Sequence, residues 1–338
     1  MVVTGAASLL GQRACALAAA DPAVRQVIAI DRRPLPTRAG IDVHRADLAV
    51  DDLKPLIEGA TSLIHLAQCT GPEPAASIGD SDLARRTLEA AGDVGVGHVV
   101  LLSSAVAYGA WANNPVPLTE EAPLRPNPGV AVASEKAEVE RLAAEWRDAH
   151  PGARVTVLRP TVTVSPSGNG WLARALAGTA SLPVGDEPPA QFLDLDDLAA
   201  AVDLARRARL DGPRNVAPDG WISGEGVRAL AGGLPRLRLP ERLALRVAGL
   251  CWRWGLAPTP PAMLPLTVHP WVVANDRLRA EGWEPQATNE EAYVASHRAG
   301  PWATLSPRRR QEIALGAAGG MAVVATLGVV ALIRRRRR

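Results

Sequence analysis

The residues best suited to binding a phosphate come at the start of the chain, in the stretch VVTGAASLLG at residues 2–11. The β-branched residues predict a strand, and Gly5 permits a sharp exit from it into a helix rich in Ala and Leu. Gly11 would let that helix pack closely on the strand, so that the N–H groups of its first turn face a pyrophosphate. Ser8 occupies the middle position, where the ideal pattern has a glycine, and an ordinary strand–helix turn is the alternative.

A carboxylate follows at the distance that this chemistry requires. The apolar strand QVIAID at residues 26–31 ends in Asp31, twenty residues beyond Gly11, where a carboxylate can accept hydrogen bonds from adenosine ribose hydroxyls. The two elements together predict a site for an adenine dinucleotide, with NAD favoured over NADP. Arg32 and Arg33 could cover the adenine or meet a 2′-phosphate, and two solvated loop arginines are the other interpretation, so NADP is not excluded.

Charge and cysteine content restrict the partners. The net charge of +2 conceals a basic C-terminus, because eight arginines lie beyond residue 307 and leave 29 basic against 34 acidic residues in positions 1–307. A mildly acidic globule argues against a nucleic-acid partner. The three cysteines, Cys15, Cys69 and Cys251, have neither metal-ligand nor disulfide spacing, so we expect no metal site and a reducing cytoplasm.

Strand and helix patterns alternate along much of the chain. Strands are predicted at residues 26–31, 41–44, 62–67, 98–103, 155–159 and near 212–215, and helices at 83–91, 135–150 and 199–207. This alternation predicts an α/β fold with a Rossmann-type, doubly wound parallel sheet. Right-handed connections place the loops after the strands on one rim of the sheet, where we expect the site.

The domain boundaries follow from these patterns. We predict an NAD(P)-binding domain at residues 1–160, a substrate lobe interleaved with the last strands of the sheet at 161–300, a basic linker at 301–312, a transmembrane helix at 313–333 and a basic tail at 334–338. Mobile loops are expected at 165–171 and 181–191. The stretch ERLALRVAGLCWRWGLA at 241–257 is either a lobe helix with a tryptophan core or a helix in a membrane interface, and residues 258–265 should break any helix.

The C-terminus predicts a membrane anchor. Residues 313–333 form a run of 21 residues without a charge, between Arg308–Arg310 and Arg334–Arg338. At about 1.5 Å per residue this run can cross a hydrocarbon layer about 30 Å thick, which predicts a single-pass anchor in the cell membrane with the globular domain in the cytoplasm. A full crossing would put five arginines outside, against the positive-inside bias, so a helix that enters and returns is the competing interpretation. Gly316 and Gly320 could let two anchors approach in a homodimer, or reflect glycine enrichment alone.

The order and spacing of further motifs resemble the extended short-chain dehydrogenase/reductase family, the NAD-dependent epimerase/dehydratase group, over residues 1–295. The matching segments, besides the glycine turn and Asp31, are Ala46-Asp47-Leu48, Leu63–Ala67, Ser103-Ser104-Ala105 with Tyr108-Gly109, Ser134–Glu138, Leu158-Arg159-Pro160, Gln191–Leu193 with Asp197, and Gly282–Pro285. The resemblance implies a small C-terminal substrate lobe and NAD as the cofactor, and it implies that Ser104 and Lys136 are catalytic residues.

The resemblance also assigns contacts to the cofactor. It implies that Asp47 and Leu48 lie beside the adenine, that Leu66 and Ala67 lie against the cofactor, and that Lys136 binds ribose hydroxyls. The complete set of residues predicted to bind the cofactor is Gly5, Ser8, Leu9, Leu10, Gly11, Asp31, Arg32, Asp47, Leu48, Leu66, Ala67 and Lys136.

The chain departs from this family at a residue central to catalysis. Four residues before Lys136, where the family has a tyrosine, the chain has Val132. The resemblance implies that the missing phenol would exchange a proton with the substrate oxygen, and loss of a general acid/base typically lowers a rate by about 10²- to 10⁴-fold. Asp80 also stands where the family usually has an asparagine, and Asp194 where a histidine is common. Recruitment of Tyr108 as the proton donor is an alternative.

Three functions agree with this pattern. The first is a membrane-anchored, NAD(P)-dependent enzyme of the epimerase/dehydratase type that acts on an unidentified small molecule, either a nucleotide-linked sugar or a lipid-like alcohol. The second is a catalytically impaired sensor or scaffold that binds the cofactor at the membrane. The third is a structural protein that binds no nucleotide and whose surviving site residues serve only the fold.

Overall fold

The computed structural model describes residues 1–69, 78–179, 188–230, 241–254 and 260–297. The chain divides into two compact units, of which the first comprises Met1–Val227 and Arg236–His297. The second comprises Arg228–Pro235 and Arg298–Arg338 and lies, apart from residues 228–230, outside the described ranges. The predicted linker, transmembrane helix and tail therefore lie outside the described residues. Among the residues that are described, no helix is long and apolar enough to span a bilayer.

A seven-stranded parallel sheet forms the centre of the first unit. The strands of the chain are β1 (Val2–Thr4), β2 (Val27–Asp31), β3 (Ile41–Arg45), β4 (Leu63–His65), β5 (His98–Leu102), β6 (Arg154–Pro160), β7 (Val162–Val164), β8 (Phe192–Asp194) and β9 (Gly212–Val216). The sheet has the order β3-β2-β1-β4-β5-β6-β9, while β7 and β8 pair in a small parallel sheet of their own. The predicted Rossmann-type, doubly wound sheet is confirmed, and its strand order reverses between β1 and β4.

Helices connect the strands and cover the sheet. They are α1 (Leu9–Ala20), α2 (Lys54–Ile57), α3 (Asp80–Asp93), α4 (Ala131–Ala149), α5 (Trp171–Thr179), α6 (Leu195–Ala208), α7 (Gly224–Leu230), α8 (Glu241–Arg253), α9 (Asp276–Ala280) and α10 (Asn289–Ser296), with 3₁₀-helices at Ala105–Tyr108 and Pro261–Thr267. Helix α1 packs beside α6, and α3 packs beside α4.

The strands are apolar because the sheet is buried on both faces. Val3 belongs to a core cluster shared with α1 and α6, whereas its neighbour Val2 belongs to a second cluster that contains Trp146 of α4. The same alternation between the two clusters continues along β5, where Val99 and Val100 are fully buried. Continuous hydrophobic strands of this kind are characteristic of parallel sheets covered by helices on both sides.

Several predicted boundaries shift for identifiable reasons. Helix α4 begins at Ala131 rather than Glu135, since the small residues before Ser134 continue the helix. Helix α6 begins at Leu195, before the predicted residue 199, because the Asp194 carboxylate accepts a hydrogen bond from the Asp196 N–H and caps the helix. Residues 261–267, where a break was predicted, form a 3₁₀-helix that accommodates proline at its first position.

Helix α8 occupies most of the stretch 241–257, whose residues 255–257 lie outside the described ranges. The predicted tryptophan core is wrong for Trp254, which is 75% exposed, because the helix buries Ala248 instead. Leu243 and Leu250 are also exposed on this helix.

Candidate functional site

The two glycines of the first turn are required by close backbone approach. Gly5 has a φ of +73°, and a Cβ at this residue would lie 2.5 Å from the backbone N of Ala67 and 2.6 Å from the carbonyl carbon of Leu66. A Cβ at Gly11 would overlap the Gly5 carbonyl oxygen and lie 2.7 Å from the Cα of Ala6. The exit of β1 therefore passes directly against the end of β4, and α1 begins directly on that turn.

Ser8 replaces the middle glycine without strain and caps α1. Its φ of −69° and ψ of 159° are accessible to any residue, and its hydroxyl accepts a hydrogen bond from the Gly11 N–H at 2.9 Å while donating to the Gly5 carbonyl at 2.8 Å. The N–H groups of Leu9 and Leu10 have no acceptor within the described part of the chain. They are open donors at a helix N-terminus, the arrangement that binds phosphate groups.

Asp31 joins the end of β2 to this turn. Its carboxylate is buried, with Oδ2 accepting from the Ala7 N–H and Oδ1 accepting from the Arg33 N–H, both at 2.9 Å. The Arg33 guanidinium pairs with the same carboxylate at 3.3 Å, whereas the Arg32 side chain is exposed. The Arg33 Nε and Nη2 contacts to this carboxylate are long, at 3.3 and 3.5 Å, and ribose hydroxyls could take their place as donors.

The other predicted contacts lie at the same edge of the sheet. Asp47 and Leu48 follow β3, where the Asp47 Oδ1 accepts from the Ala49 N–H at 3.0 Å and Leu48 is buried. Leu66 and Ala67 follow β4, and the Leu66 N–H donates to the Thr4 carbonyl at 3.0 Å. All four residues thus lie beyond the carboxyl ends of the strands, where ligands of doubly wound sheets bind.

Lys136 is held by a buried carboxylate. Its Nζ lies 2.8 Å from Oδ2 of Asp80, at the first residue of α3, and donates to the carbonyl of Leu102, at the end of β5, at 3.2 Å. The Asp80 Oδ1 accepts from the Cys69 N–H at 2.5 Å, and the side chains of Lys136 and Asp80 are only 5% and 8% exposed. Burial alone would raise the pKa of Asp80, but the ammonium of Lys136 outweighs this and holds that pKa below its ordinary value.

Ser104 and Val132 complete the predicted catalytic region. Ser104 caps the 3₁₀-helix that follows β5: its Oγ accepts from the Val106 N–H at 3.3 Å and lies 3.5 Å from the Pro160 carbonyl oxygen. Val132 lies one turn before Lys136 on α4, half-buried against the apolar cluster that contains Tyr108. An isopropyl group therefore lies at the position where the sequence resemblance implied a phenol.

Tyr108 is committed to a buried network. Its hydroxyl donates to Oδ1 of Asn215 at 2.9 Å and accepts from Nη1 of Arg159 at 2.5 Å, and the Arg159 guanidinium lies 4.8 Å from the centre of the tyrosine ring. Burial raises the pKa of Tyr108 to about 12. These contacts assign Tyr108 a structural role and argue against its recruitment as a proton donor.

Sequence reasoning missed Glu140, which organises this network. Its carboxylate pairs with Arg159 at 2.6 Å and accepts from the Ser103 hydroxyl at 2.5 Å. Its burial could have been predicted from its position four residues after Lys136, which puts it on the buried face of α4. The later landmarks also have structural roles, because the Asp197 carboxylate accepts from the N–H groups of Gln286 at 2.9 Å and Ala287 at 3.1 Å.

The residues present fit an adenine dinucleotide. The turn at Gly5 packs closely against the end of β4, two N–H donors are open at the start of α1, and a carboxylate lies at the end of the adjacent strand. No group of acidic, histidine or cysteine side chains among the described residues could hold a metal ion. The site can therefore bind a dinucleotide, but Val132 offers no proton to a substrate.

Comparison with known proteins agrees with this geometry. The family described as the NAD dependent epimerase/dehydratase family matches residues 1–217, more than half of the chain. The description agrees with the prediction of NAD as the cofactor. No curated protein matches the chain significantly.

Solved structures of the same fold are numerous, and three are representative. MoeE5 in complex with UDP-glucuronic acid and NAD is 20% identical, with a TM-score of 0.65 over 88% of this chain and 96% of that chain. UDP-glucose 4-epimerase from Thermus thermophilus with NAD is 21% identical, with a TM-score of 0.63 over 87% of this chain and 96% of that one. DesIV, a dTDP-glucose 4,6-dehydratase from Streptomyces venezuelae, is 17% identical, with a TM-score of 0.65 over 87% and 94%. The chain belongs to the NAD-dependent epimerase/dehydratase family.

Proposed function

We propose that this protein binds NAD without catalysing its reduction, and acts as a cofactor-binding sensor or scaffold. The observation that carries this proposal is the ion pair that Lys136 forms with Asp80 in the protein interior. Val132, which cannot transfer a proton, lies one helical turn before this lysine. In the enzymes that the chain resembles, this lysine assists a tyrosine. Here the lysine has a carboxylate partner and no phenol to assist.

The cofactor cradle supports the binding half of the proposal. The open N–H groups of Leu9 and Leu10 suit the pyrophosphate, and Asp31 suits the adenosine ribose. The carboxylate of Asp31 would repel a 2′-phosphate, which favours NAD over NADP. The related structures of MoeE5 and of the Thermus thermophilus epimerase are complexes with NAD. NAD, when bound, would supply a hydride acceptor at the ends of β4 and β5.

The described side chains near Lys136 support the loss of proton transfer. The Cys69 thiol donates to the Ile78 carbonyl at 3.2 Å, and burial raises its pKa above the ordinary value. The His65 ring is fully buried against Thr4, and burial lowers its pKa to about 4. Neither group has the exposure or the pKa of a general acid/base that works near neutral pH.

A second candidate function is an enzyme that uses an unusual proton donor. It is favoured by Ser104, which keeps its hydroxyl at the end of β5 on the same rim as Lys136. The substrate would be a nucleotide-linked sugar or a lipid-like alcohol; the related structures contain UDP-glucuronic acid or are named for UDP-glucose and dTDP-glucose.

We also propose that the protein works at the cell membrane, with its globular unit in the cytoplasm. The charge-free run at residues 313–333 between two arginine clusters supports a single C-terminal anchor. The exposed apolar side chains of Leu243 and Leu250 on α8, and of Trp254 directly after it, support a position close to a lipid surface. A homodimer formed through Gly316 and Gly320 is compatible with this arrangement.

Binding and turnover measured on the same sample test the proposal. The purified full-length chain should quench or enhance NADH fluorescence saturably. When it is loaded with NAD and mixed with UDP-glucose, UDP-glucuronic acid or dTDP-glucose, it should show no epimerised, dehydrated or oxidised sugar by mass spectrometry and chromatography. Multiple turnovers of any of these sugars would replace the proposal by the second candidate function.

A further inference from the structure

The ion pair of Asp80 and Lys136 lies on the side of the sheet that faces the second half of a bound dinucleotide. The glycine turn and Asp31 would fix the adenosine half over β1 and β2, and in this fold the other half crosses the switch point toward β4 and β5. Lys136 donates to the carbonyl of the last residue of β5, and Asp80 accepts from the N–H of Cys69, shortly after β4. We therefore expect the nicotinamide half of a bound cofactor to lie close to this pair.

Among the described residues, the groups around this pair leave the region without net charge. Lowering of the His65 pKa to about 4 keeps its imidazole neutral, and raising of the Cys69 pKa keeps its thiol neutral. Arg32 and Glu135 exert weaker electrostatic effects on Cys69, and these effects oppose each other because the two side chains carry opposite charges. The carboxylate of Asp80 thus cancels the ammonium of Lys136, which would otherwise be a single buried positive charge.

We propose that Asp80 enables this site to bind the oxidised nicotinamide dinucleotide, because it cancels a lysine charge that would repel the oxidised ring; this inference rests on the proposed function. The oxidised nicotinamide ring carries a positive charge and the reduced ring carries none, so a lone ammonium nearby disfavours the oxidised form only. With its carboxylate partner in place, Lys136 no longer opposes the oxidised ring. The site then binds the oxidised form without an electrostatic penalty, which a sensor of oxidised cofactor requires.

The test is the ratio of the dissociation constants for NAD⁺ and NADH, measured calorimetrically on the full-length chain. Effects on folding, or on contacts common to both forms, cancel in this ratio. Asp80→Asn leaves Lys136 unpaired and should shift the ratio toward NADH by about tenfold. Lys136→Met leaves the Asp80 carboxylate unpaired and should shift the ratio of dissociation constants toward NAD⁺.

The matched control is Asp93→Asn, which makes the same charge change at the exposed end of α3, where Asp93 pairs with Lys54. It should change the ratio by less than about twofold, since exposed charges are screened. The double variant Asp80→Asn/Lys136→Met removes both charges and should return the ratio to within about threefold of the unmodified chain.

Three results would overturn the inference. One is a ratio that Asp80→Asn leaves unchanged; another is a shift in the same direction for Asp80→Asn and Lys136→Met. If the single variants do not fold, the unmodified chain decides, because binding NADH more than about tenfold tighter than NAD⁺ contradicts the proposed cancellation of the Lys136 charge. If every variant binds both NAD⁺ and NADH and the ratio of the two dissociation constants is the same in all of them, the inference alone is refuted. If the unmodified chain binds neither NAD⁺ nor NADH, the proposed function is refuted as well.

Discussion

The Nζ atom of Lys136 lies 2.8 Å from Oδ2 of Asp80, and both groups are buried between α3, α4 and the end of β5. Removing one partner of such a pair leaves an uncompensated buried charge, which typically costs about 3–5 kcal/mol. The pair therefore ties three elements together at the rim of the sheet. It also gives the lysine a structural function that does not depend on a neighbouring tyrosine.

Val132→Tyr should restore part of the missing proton transfer. The phenol would lie one turn from Lys136, so we expect sugar turnover to rise by about 10²- to 10⁴-fold over Val132→Phe, which adds the same ring without the hydroxyl. Turnover of UDP-glucose by the NAD-loaded variants is the measurement. Equal rates for the two variants would show that more than the hydroxyl has been lost, and a combined Val132→Tyr/Asp80→Asn variant would then show whether the ion pair is the second obstacle.

Gly5→Ala should disrupt the turn that holds the pyrophosphate. The new Cβ would meet the Ala67 N at 2.5 Å, and the positive φ adds strain, so we expect a loss of more than about 3 kcal/mol in the free energy of unfolding together with loss of NADH binding. Gly59→Ala is the control, because Gly59 has nearly the same φ of +74° and no atom within 4 Å of a new Cβ. That variant should lose only about 1–2 kcal/mol in urea unfolding and keep its cofactor. If both variants lose the same unfolding free energy, backbone strain at the positive φ, and not the close approach to β4, causes the destabilisation.

Asp31→Asn should weaken discrimination against NADP. The amide keeps an oxygen acceptor for a ribose hydroxyl but removes the charge that would repel a 2′-phosphate, so the preference for NADH over NADPH should fall by about tenfold. Fluorescence titrations with both reduced cofactors give this ratio directly. Arg32→Ala is the companion variant: a large loss of NADPH affinity there would indicate that Arg32 meets a 2′-phosphate and that the site prefers NADP.

Two buried histidines should make the fold sensitive to acid. Burial lowers the pKa of His65 and of His98 to about 4, against an ordinary value of 6.5, so between these values the unfolded chain binds protons that the folded chain does not. Stability is therefore complete above about pH 6.5 and should have fallen by about 2 kcal/mol per histidine at pH 5.

Urea unfolding at pH 7 and at pH 5 measures this loss. His98→Gln should reduce it, and His44→Gln, at a half-exposed position, should not. An unfolding free energy independent of pH over this range would contradict the assignment of neutral, buried rings.

The parts of this molecule that could be predicted from sequence are those encoded by local patterns. Gly5, Gly11 and Asp31 signal a turn and a carboxylate through residues close in the chain, and the succession of strands and helices along the chain follows from alternating apolar segments. The pair of Asp80 and Lys136 could not be predicted in this way, because it joins two helices that only the folded sheet brings together. Asp80 was recognised as unusual, but its partner was not.

The small sheet of β7 and β8 was missed for a different reason. Each strand has only three residues, which is too short for an alternating pattern to be distinguished from a loop. Glu140 was overlooked because a charged residue on a helix is normally solvated, and its burial depends on Arg159, which arrives from β6.

The central claim is that the glycine turn and Asp31 hold an adenine dinucleotide, and titration of the purified full-length chain with NAD⁺ by calorimetry tests it most directly. The account predicts saturable binding at one site per chain, lost in Gly5→Ala and retained in Gly59→Ala. Heats that never exceed dilution with the unmodified chain would contradict it, and would leave the turn as a feature of the fold alone.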